Sequence, residues 1–299
     1  MFGAILSATD PVAVVALLKE LGVSKRLSTL IEGESLLNDG TALVAFEVFL
    51  EIALGESLGG DDIIVLFVRL SIGGPLVGIA CGVISSWWLK RIYDDPTLEI
   101  AVTFFTCYMT FWIAELSGAH VSGILALVSL GFYMSGVGKT YISVRSENDL
   151  HAFWKFMGWT GETLIFILSG VIIGNKVFAE GRFEGTDFAL LVVFYVMLTI
   201  IRFLIIAMFY PVLKTSGYGT TWQDSFVMAY GGLRGAVGLT LALIVFHEEE
   251  LNDRLKELVL FHTAGIATLT LMINGTTTGY WINKLGLSKV SEVKENMLK

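Results

Sequence analysis

The chain has 299 residues, of which 54% are hydrophobic and 16% charged, with a mean hydropathy of +0.71 and a formal net charge of -8. Soluble domains carry about 25% charged residues, so the composition excludes an ordinary water-soluble domain, and the length excludes a single membrane anchor. The acidic balance, without a basic stripe, excludes a nucleic-acid partner, and two cysteines in apolar runs, Cys81 and Cys107, give neither a disulfide framework nor a metal-ligand spacing.

A bilayer core takes about 20 apolar residues as helix. By that measure the chain holds nine apolar segments, over 2–18, 28–54, 62–89, 98–116, 121–138, 156–175, 188–210, 226–246 and 258–279. The expected architecture is an all-α polytopic membrane protein. The connections are short and polar, and none is long enough for a soluble domain. Lysine and arginine set orientation. With nine spans, Lys19, Lys25, Arg26, Lys90, Arg91, Lys139, Arg145, Lys155, Lys214 and the C-terminal lysines fall on one side. Lys176, Arg182, Arg254 and Lys256 fall on the other. The C-terminal tail is therefore expected to be cytoplasmic.

The first segment reads "SATDPVAVV" over 7–15. Proline removes a backbone donor and clashes with the preceding turn, and the residue before it is pushed out of helical geometry. Asp10-Pro11 therefore predicts a broken helix, with free carbonyls near Ala8 and Thr9. Such irregular backbone is tolerated at membrane depth where it lines a cavity or packs in protein. The alternative, a helix ending at the surface, is opposed by the apolar residues on both sides.

The second segment carries "ESLLNDG" over 34–40. Ionisable groups in hydrocarbon are costly and mark function by default. At helical spacing Glu34 and Asn38 share one face, and Ser35 and Asp39 share a neighbouring one. A carboxylate in a low-dielectric cavity favours its protonated form and can then trade a proton for a cation. Capping or salt-bridging at a helix end is the alternative for both acids. It weighs more for Glu34 than for Asp39, which precedes a long apolar run.

Glu162 and Arg202 lie in the sixth and seventh segments, and mutual pairing is the expected reading of these two intramembrane charges. The eighth segment holds "YGGLRGAVGLTLAL" over 230–243, with Arg234 among four glycines. Glycine packing alone does not account for the arginine. A buried arginine needs a carboxylate, and Glu34 is its expected partner. The interrupted first segment and the eighth are seven apart, the offset of two six-helix inverted repeats joined by a linker helix. Paired interruptions in corresponding halves point to a transporter site. The ninth segment ends "MINGTTTG", again an asparagine and hydroxyls in an apolar setting. No nucleophile–base pair or metal cluster points to an enzyme, and no cofactor is expected.

Four stretches, "GAILSATDPVAVVALLKELG", "IEGESLLNDGTALV", "ETLIFILSGV" and "AYGGLRGAVGLTLAL", closely resemble the monovalent cation:proton antiporters, the sodium/proton exchangers. The run "KELGVSKRLSTLIEGESLLNDG" is most similar to plant salt-tolerance plasma-membrane exchangers and sperm-type exchangers. The resemblance covers residues 3 to 285. It implies an inverted-repeat fold of 13 helices with broken helices, a homodimer, and electroneutral sodium/proton exchange at the plasma membrane. It implies that Asp39 binds the ion and the proton. Asp10, Thr9, Ser35 and Asn38 would complete the site, with sodium at Asp39 and Asp10. Glu34 and Arg234 match the family's core salt bridge. Asn38 matches the electroneutral members, where an aspartate marks electrogenic ones. Residues 1–279 would be a membrane domain lacking about four N-terminal helices, and 280–299 the start of a cytoplasmic tail. A vestigial exchanger core serving as sensor or scaffold, or a carrier of another solute, are the competing readings.

Overall fold

A computed structural model describes residues 1–54, 60–116, 121–175, 183–215 and 219–288. The described residues are almost entirely helical. In chain order they form α1 (Phe2–Ile5), α2 (Val12–Glu20), α3 (Lys25–Ala53), α4 (Gly60–Val68), α5 (Gly74–Leu89), α6 (Pro96–Glu115) and α7 (Gly123–Gly136). Then come α8 (Val144–Gly174), α9 (Gly185–Thr215), α10 (Trp222–Tyr230), α11 (Ala236–His247), α12 (Asp253–Leu269) and α13 (Thr276–Lys284). A π-helical turn at Arg69–Gly73 joins α4 to α5, and another at Thr270–Gly275 joins α12 to α13.

These helices fall on the nine expected segments. The first and eighth are the interrupted ones, as α1–α2 and α10–α11. Among the described residues five helices are long and apolar enough to cross a membrane, Asp62–Leu89, Pro96–Glu115, Val144–Gly174, Gly185–Thr215 and Asp253–Lys284. The others fall short for physical reasons. The two interrupted segments are split, α7 has 14 residues, and α3 carries the charges of 32–39. The tail expected over 280–299 begins inside α13, and residues 289–299 lie outside the described residues.

Helix starts follow local chemistry. Asp95 accepts the Thr97 and Leu98 amides and Pro96 opens α6, where a missing N–H costs nothing. Ser122 caps α7, Asn252 caps α12, and Thr221 with Asp224 forms a reciprocal capping box on α10.

The chain divides into two compact units. One comprises Met1 and Gly40–Leu164, the other Phe2–Asp39 and Ile165–Lys299. In the first, α5 packs closely on α7 along Gly74, Gly78 and Gly82. A β-carbon at Gly78 would lie 2.0 Å from the Ala126 carbonyl, so only glycine admits this approach. Glu99, fully buried on α6, accepts the Ser143 amide at 3.1 Å and the Ser143 hydroxyl, which fixes the start of α8.

The second unit carries every candidate site residue except Glu162. Its core joins Val14, Val15 and Leu18 of α2 to Leu27 and Ile31 of α3, and to Val227, Met228, Leu233 and Ile282. Burial of these aliphatic side chains, each contributing about 1.5–3 kcal/mol in water-transfer terms, holds the interrupted helices beside α3. His262 is buried in the same unit against the rings of Phe194 and Phe261, as a packed residue.

Candidate functional site

The two breaks meet. After α1 the chain leaves helical geometry, and the Asp10 amide donates to the Leu233 carbonyl at 2.9 Å as an isolated antiparallel bridge. Leu233 lies in the five residues between α10 and α11. Each extended stretch thus supplies the other with a partner that a continuous helix would have supplied itself.

A break leaves carbonyls without donors at the C-terminal end of the half-helix before it, an end that also carries the negative pole of the dipole. Two arginines answer this. Arg234 donates through Nη1 to the carbonyls of Ser7 at 3.0 Å and Ala8 at 2.8 Å, at the end of α1. Arg202, on α9, donates to the carbonyls of Met228 and Ala229, at the end of α10, with distances of 3.0–3.3 Å. Arg202 also forms an ion pair with Glu34, Nη2 to Oε1, at 2.9 Å.

This corrects two expectations. Glu34 pairs with Arg202, not with Arg234, and Arg234 spends its guanidinium on backbone carbonyls. Arg202 was expected to pair with Glu162; Glu34 and the α10 carbonyls take it instead. Glu162 itself belongs to the other compact unit.

The remaining predicted residues do come together. Thr9, in the first break, donates its amide to Asp39 Oδ1 at 3.0 Å. Ser35, buried on α3, donates its hydroxyl to the Thr9 carbonyl. Asn38 reaches both the Thr9 hydroxyl and Glu34 Oε1 at 3.5 Å, the long limit of a hydrogen bond. Thr9 is therefore held at its amide, its carbonyl and its hydroxyl by Asp39, Ser35 and Asn38, three residues within about one turn of α3. Asp10 accepts the Val12 amide at 2.9 Å and so places a carboxylate at the start of α2, where the dipole favours it.

Glycines make the approach possible. A β-carbon at Gly235 would sit 2.3 Å from Asp10 Oδ2 and 2.4 Å from its Cβ, and one at Gly232 would sit 2.0 Å from Arg202 Nε. Among the described residues Asp39 has no ion-pair partner; Asp10 and Arg234 are its charged neighbours. A half-buried carboxylate with one oxygen anchored and no fixed counter-ion can hold either a proton or a small cation. Its surroundings are rich in oxygen: the Asp10 carboxylate, the Ser35 hydroxyl and the Thr9 carbonyl. A cavity of ≈ 420 Å³ with apolar walls, Phe2, Leu6, Met197 and Ile201 among them, is lined also by Glu34, Asn38, Arg202 and Arg234.

Residues the sequence reading did not place in the site also serve it. Thr270 accepts the Arg234 amide at 3.1 Å, and Asn274 donates to the Tyr230 carbonyl at 3.1 Å while accepting the Tyr195 hydroxyl at 2.6 Å. The only signal for them was polarity inside an apolar run.

The family model "Sodium/hydrogen exchanger, transmembrane" matches residues 1–284. The chain is 40% identical to sodium/hydrogen exchanger 7 of Arabidopsis thaliana and 38% identical to sodium/hydrogen exchanger 8 of the same plant. Both matches cover all of this chain, which spans 26% and 40% of those relatives. It is 31% identical to the Na(+)/H(+) antiporter NhaH of Halobacillus aidingensis, over 96% of this chain and 68% of that protein. The structure of the sodium proton antiporter MjNhaP1 from Methanocaldococcus jannaschii shares the fold, with a TM-score of 0.76 at 17% identity over 96% of this chain and 70% of that one. With five helices long and apolar enough to cross a bilayer, the match makes this an integral membrane protein. The chain belongs to the transmembrane sodium/hydrogen exchanger family.

Proposed function

We propose that the chain forms part of a secondary transporter that exchanges sodium for protons without net charge movement, and so regulates intracellular pH and sodium. The observation that carries this reading is the Asp39 carboxylate. It is anchored through one oxygen to the Thr9 amide where two broken helices cross, and among the described residues no cation forms an ion pair with it. Sodium is a hard cation that seeks several oxygens, and Asp39, Asp10, Ser35 and the Thr9 carbonyl supply them. Proton and sodium compete for one carboxylate, so the core moves across the membrane only when that charge is neutralised.

Asn38 supports a one-for-one stoichiometry. An amide next to Asp39 carries no second titratable charge into the site, and its bonds to Glu34 and Thr9 give it a bracing role. Arg202 and Arg234 are committed to the broken helix ends, so they balance backbone dipoles without competing for the ion. The acids then outnumber the free cationic groups, which favours a cation over an organic anion as cargo. The reading includes no cofactor and no enzymatic step. It places the protein in the plasma membrane as a homodimer, residues 1–279 within the exchanger membrane domain, and 280–299 at the start of a cytoplasmic tail.

The test is transport in proteoliposomes, using the protein with any sequence that flanks residues 1–299 in its gene. An imposed sodium gradient should drive a lumenal pH change, reported by a trapped dye, with no dependence on a clamped membrane potential. A potential-driven response would reject the electroneutral stoichiometry, and no response at all would reject exchange.

A further inference from the structure

Outside the ion site, the π-helical turn Thr270–Gly275 has an arrangement that packing alone does not require. A π turn inserts an extra residue, turns side chains out of the regular helical register, and recurs at functional sites. Here it aims two buried side chains, Thr270 and Asn274, at the two ends of the second break. Asn274 meets the last residue of α10, donating to the Tyr230 carbonyl at 3.1 Å. Thr270 meets Arg234, two residues before α11 resumes, accepting its amide at 3.1 Å while donating to the Ala267 carbonyl at 3.0 Å.

Both anchors are themselves held. Tyr195 of α9 donates to Asn274 Oδ1 at 2.6 Å, which fixes the amide's orientation and directs its Nδ2 toward Tyr230. The Tyr230 hydroxyl bonds Thr277 at 2.6 Å, so Tyr230 is fastened to the last helical segment at both its carbonyl and its ring. The void bounded by Tyr195, Arg202, Arg234, Thr270 and Asn274 measures ≈ 10 Å³, at or below the size of one water. The groups therefore hold each other directly.

We infer that Thr270 and Asn274 are positioning residues for exchange. They clamp the second break so that the Leu233 carbonyl stays in line for the Asp10 amide and the Arg234 guanidinium for the Ser7 and Ala8 carbonyls. Neither touches the ion. They act through the crossing, which sets where Asp10 and the Thr9 peptide stand relative to Asp39. The role in exchange rests on the proposed function; the clamp itself does not.

Amide hydrogen exchange in lipid nanodiscs separates the two. Thr270→Val keeps the side chain's shape and removes the acceptor. It should speed exchange of the 231–235 amides, and of the Asp10 amide on the other broken helix, by about fivefold, the worth of one net hydrogen bond. Thr270→Ser keeps the hydroxyl and should restore wild-type protection. Asn274→Ala should speed the same amides, and Thr270→Val stands alone if that variant does not fold. In proteoliposomes Thr270→Val should raise the sodium concentration for half-maximal exchange by a similar factor, and Thr270→Ser should not. Unchanged protection at both 231–235 and Asp10 overturns the clamp. Faster amides with an unchanged sodium half-saturation overturn the positioning role. A wild-type protein that shows the clamp by hydrogen exchange but no sodium-driven exchange removes the proposed function and leaves the clamp standing.

Discussion

Asp10 donates its amide to the Leu233 carbonyl at 2.9 Å, and this single bond joins two helices that each break where the other needs a partner. Around it, charge is distributed by role. Arg234 serves the end of α1, Arg202 serves the end of α10 and holds Glu34, and Asp39 keeps no ion-pair partner among the described residues. Only the last can change its occupant without dismantling the crossing.

The partner of Glu34 can be tested by double-mutant cycles on thermal unfolding in detergent. Glu34→Gln with Arg202→Gln should show a coupling of about 0.5–3 kcal/mol, the range for residues in direct contact. Glu34→Gln with Arg234→Gln should couple more weakly, because no ion pair joins them. The reverse order would return Arg234 to the role the sequence first implied.

Steric closeness at the crossing gives a second expectation. Gly235→Ala pushes a β-carbon into Asp10, and Gly232→Ala pushes one into Arg202. Each should destabilise by about 1–3 kcal/mol, the usual cost of overpacking, and lower transport as well. Gly33→Ala, on α3 with nothing within 4 Å of the added carbon, should be neutral or stabilise by up to about 1 kcal/mol. Unfolding midpoints of the three variants decide it.

Ser35 provides a third. Its hydroxyl is the α3 donor to the Thr9 carbonyl. Ser35→Ala should cost about 1 kcal/mol of stability and raise the sodium concentration for half-maximal exchange. Ser35→Thr keeps the donor and should preserve both if the extra methyl is accommodated. A Ser35→Ala protein with wild-type sodium half-saturation would show that the Thr9 carbonyl needs no such support.

Much of this was readable in the residues. Asp10-Pro11 cannot continue a helix, and the glycines around Arg234 marked the second interruption, so the nine segments and both breaks could be placed. Ser35 and Asp39, four apart, could be placed on one face; their meeting with the first break was implied only by the family resemblance. The partners of the arginines could not be placed. Several arginines and glutamates fall inside the apolar segments and allow more than one pairing, and charge alone does not choose between them. Counting backbone acceptors would have helped: each break leaves carbonyls that need donors, and an arginine can serve them as well as it can pair with a carboxylate. Asn274 stood out only as a polar residue in an apolar run, and its contacts and those of Thr270 stayed hidden because a π turn shifts the register on which face assignments rest.

The central claim is that sodium and a proton compete for Asp39. The most direct measurement is sodium binding to the purified protein by calorimetry in two buffers of different ionisation enthalpy, at a pH where the site is protonated. The wild type should release a proton as sodium binds. Asp39→Asn keeps an oxygen for the Thr9 amide but has no titratable proton, and should show neither sodium binding nor proton release. Proton release on sodium binding that persists unchanged in Asp39→Asn would contradict the account.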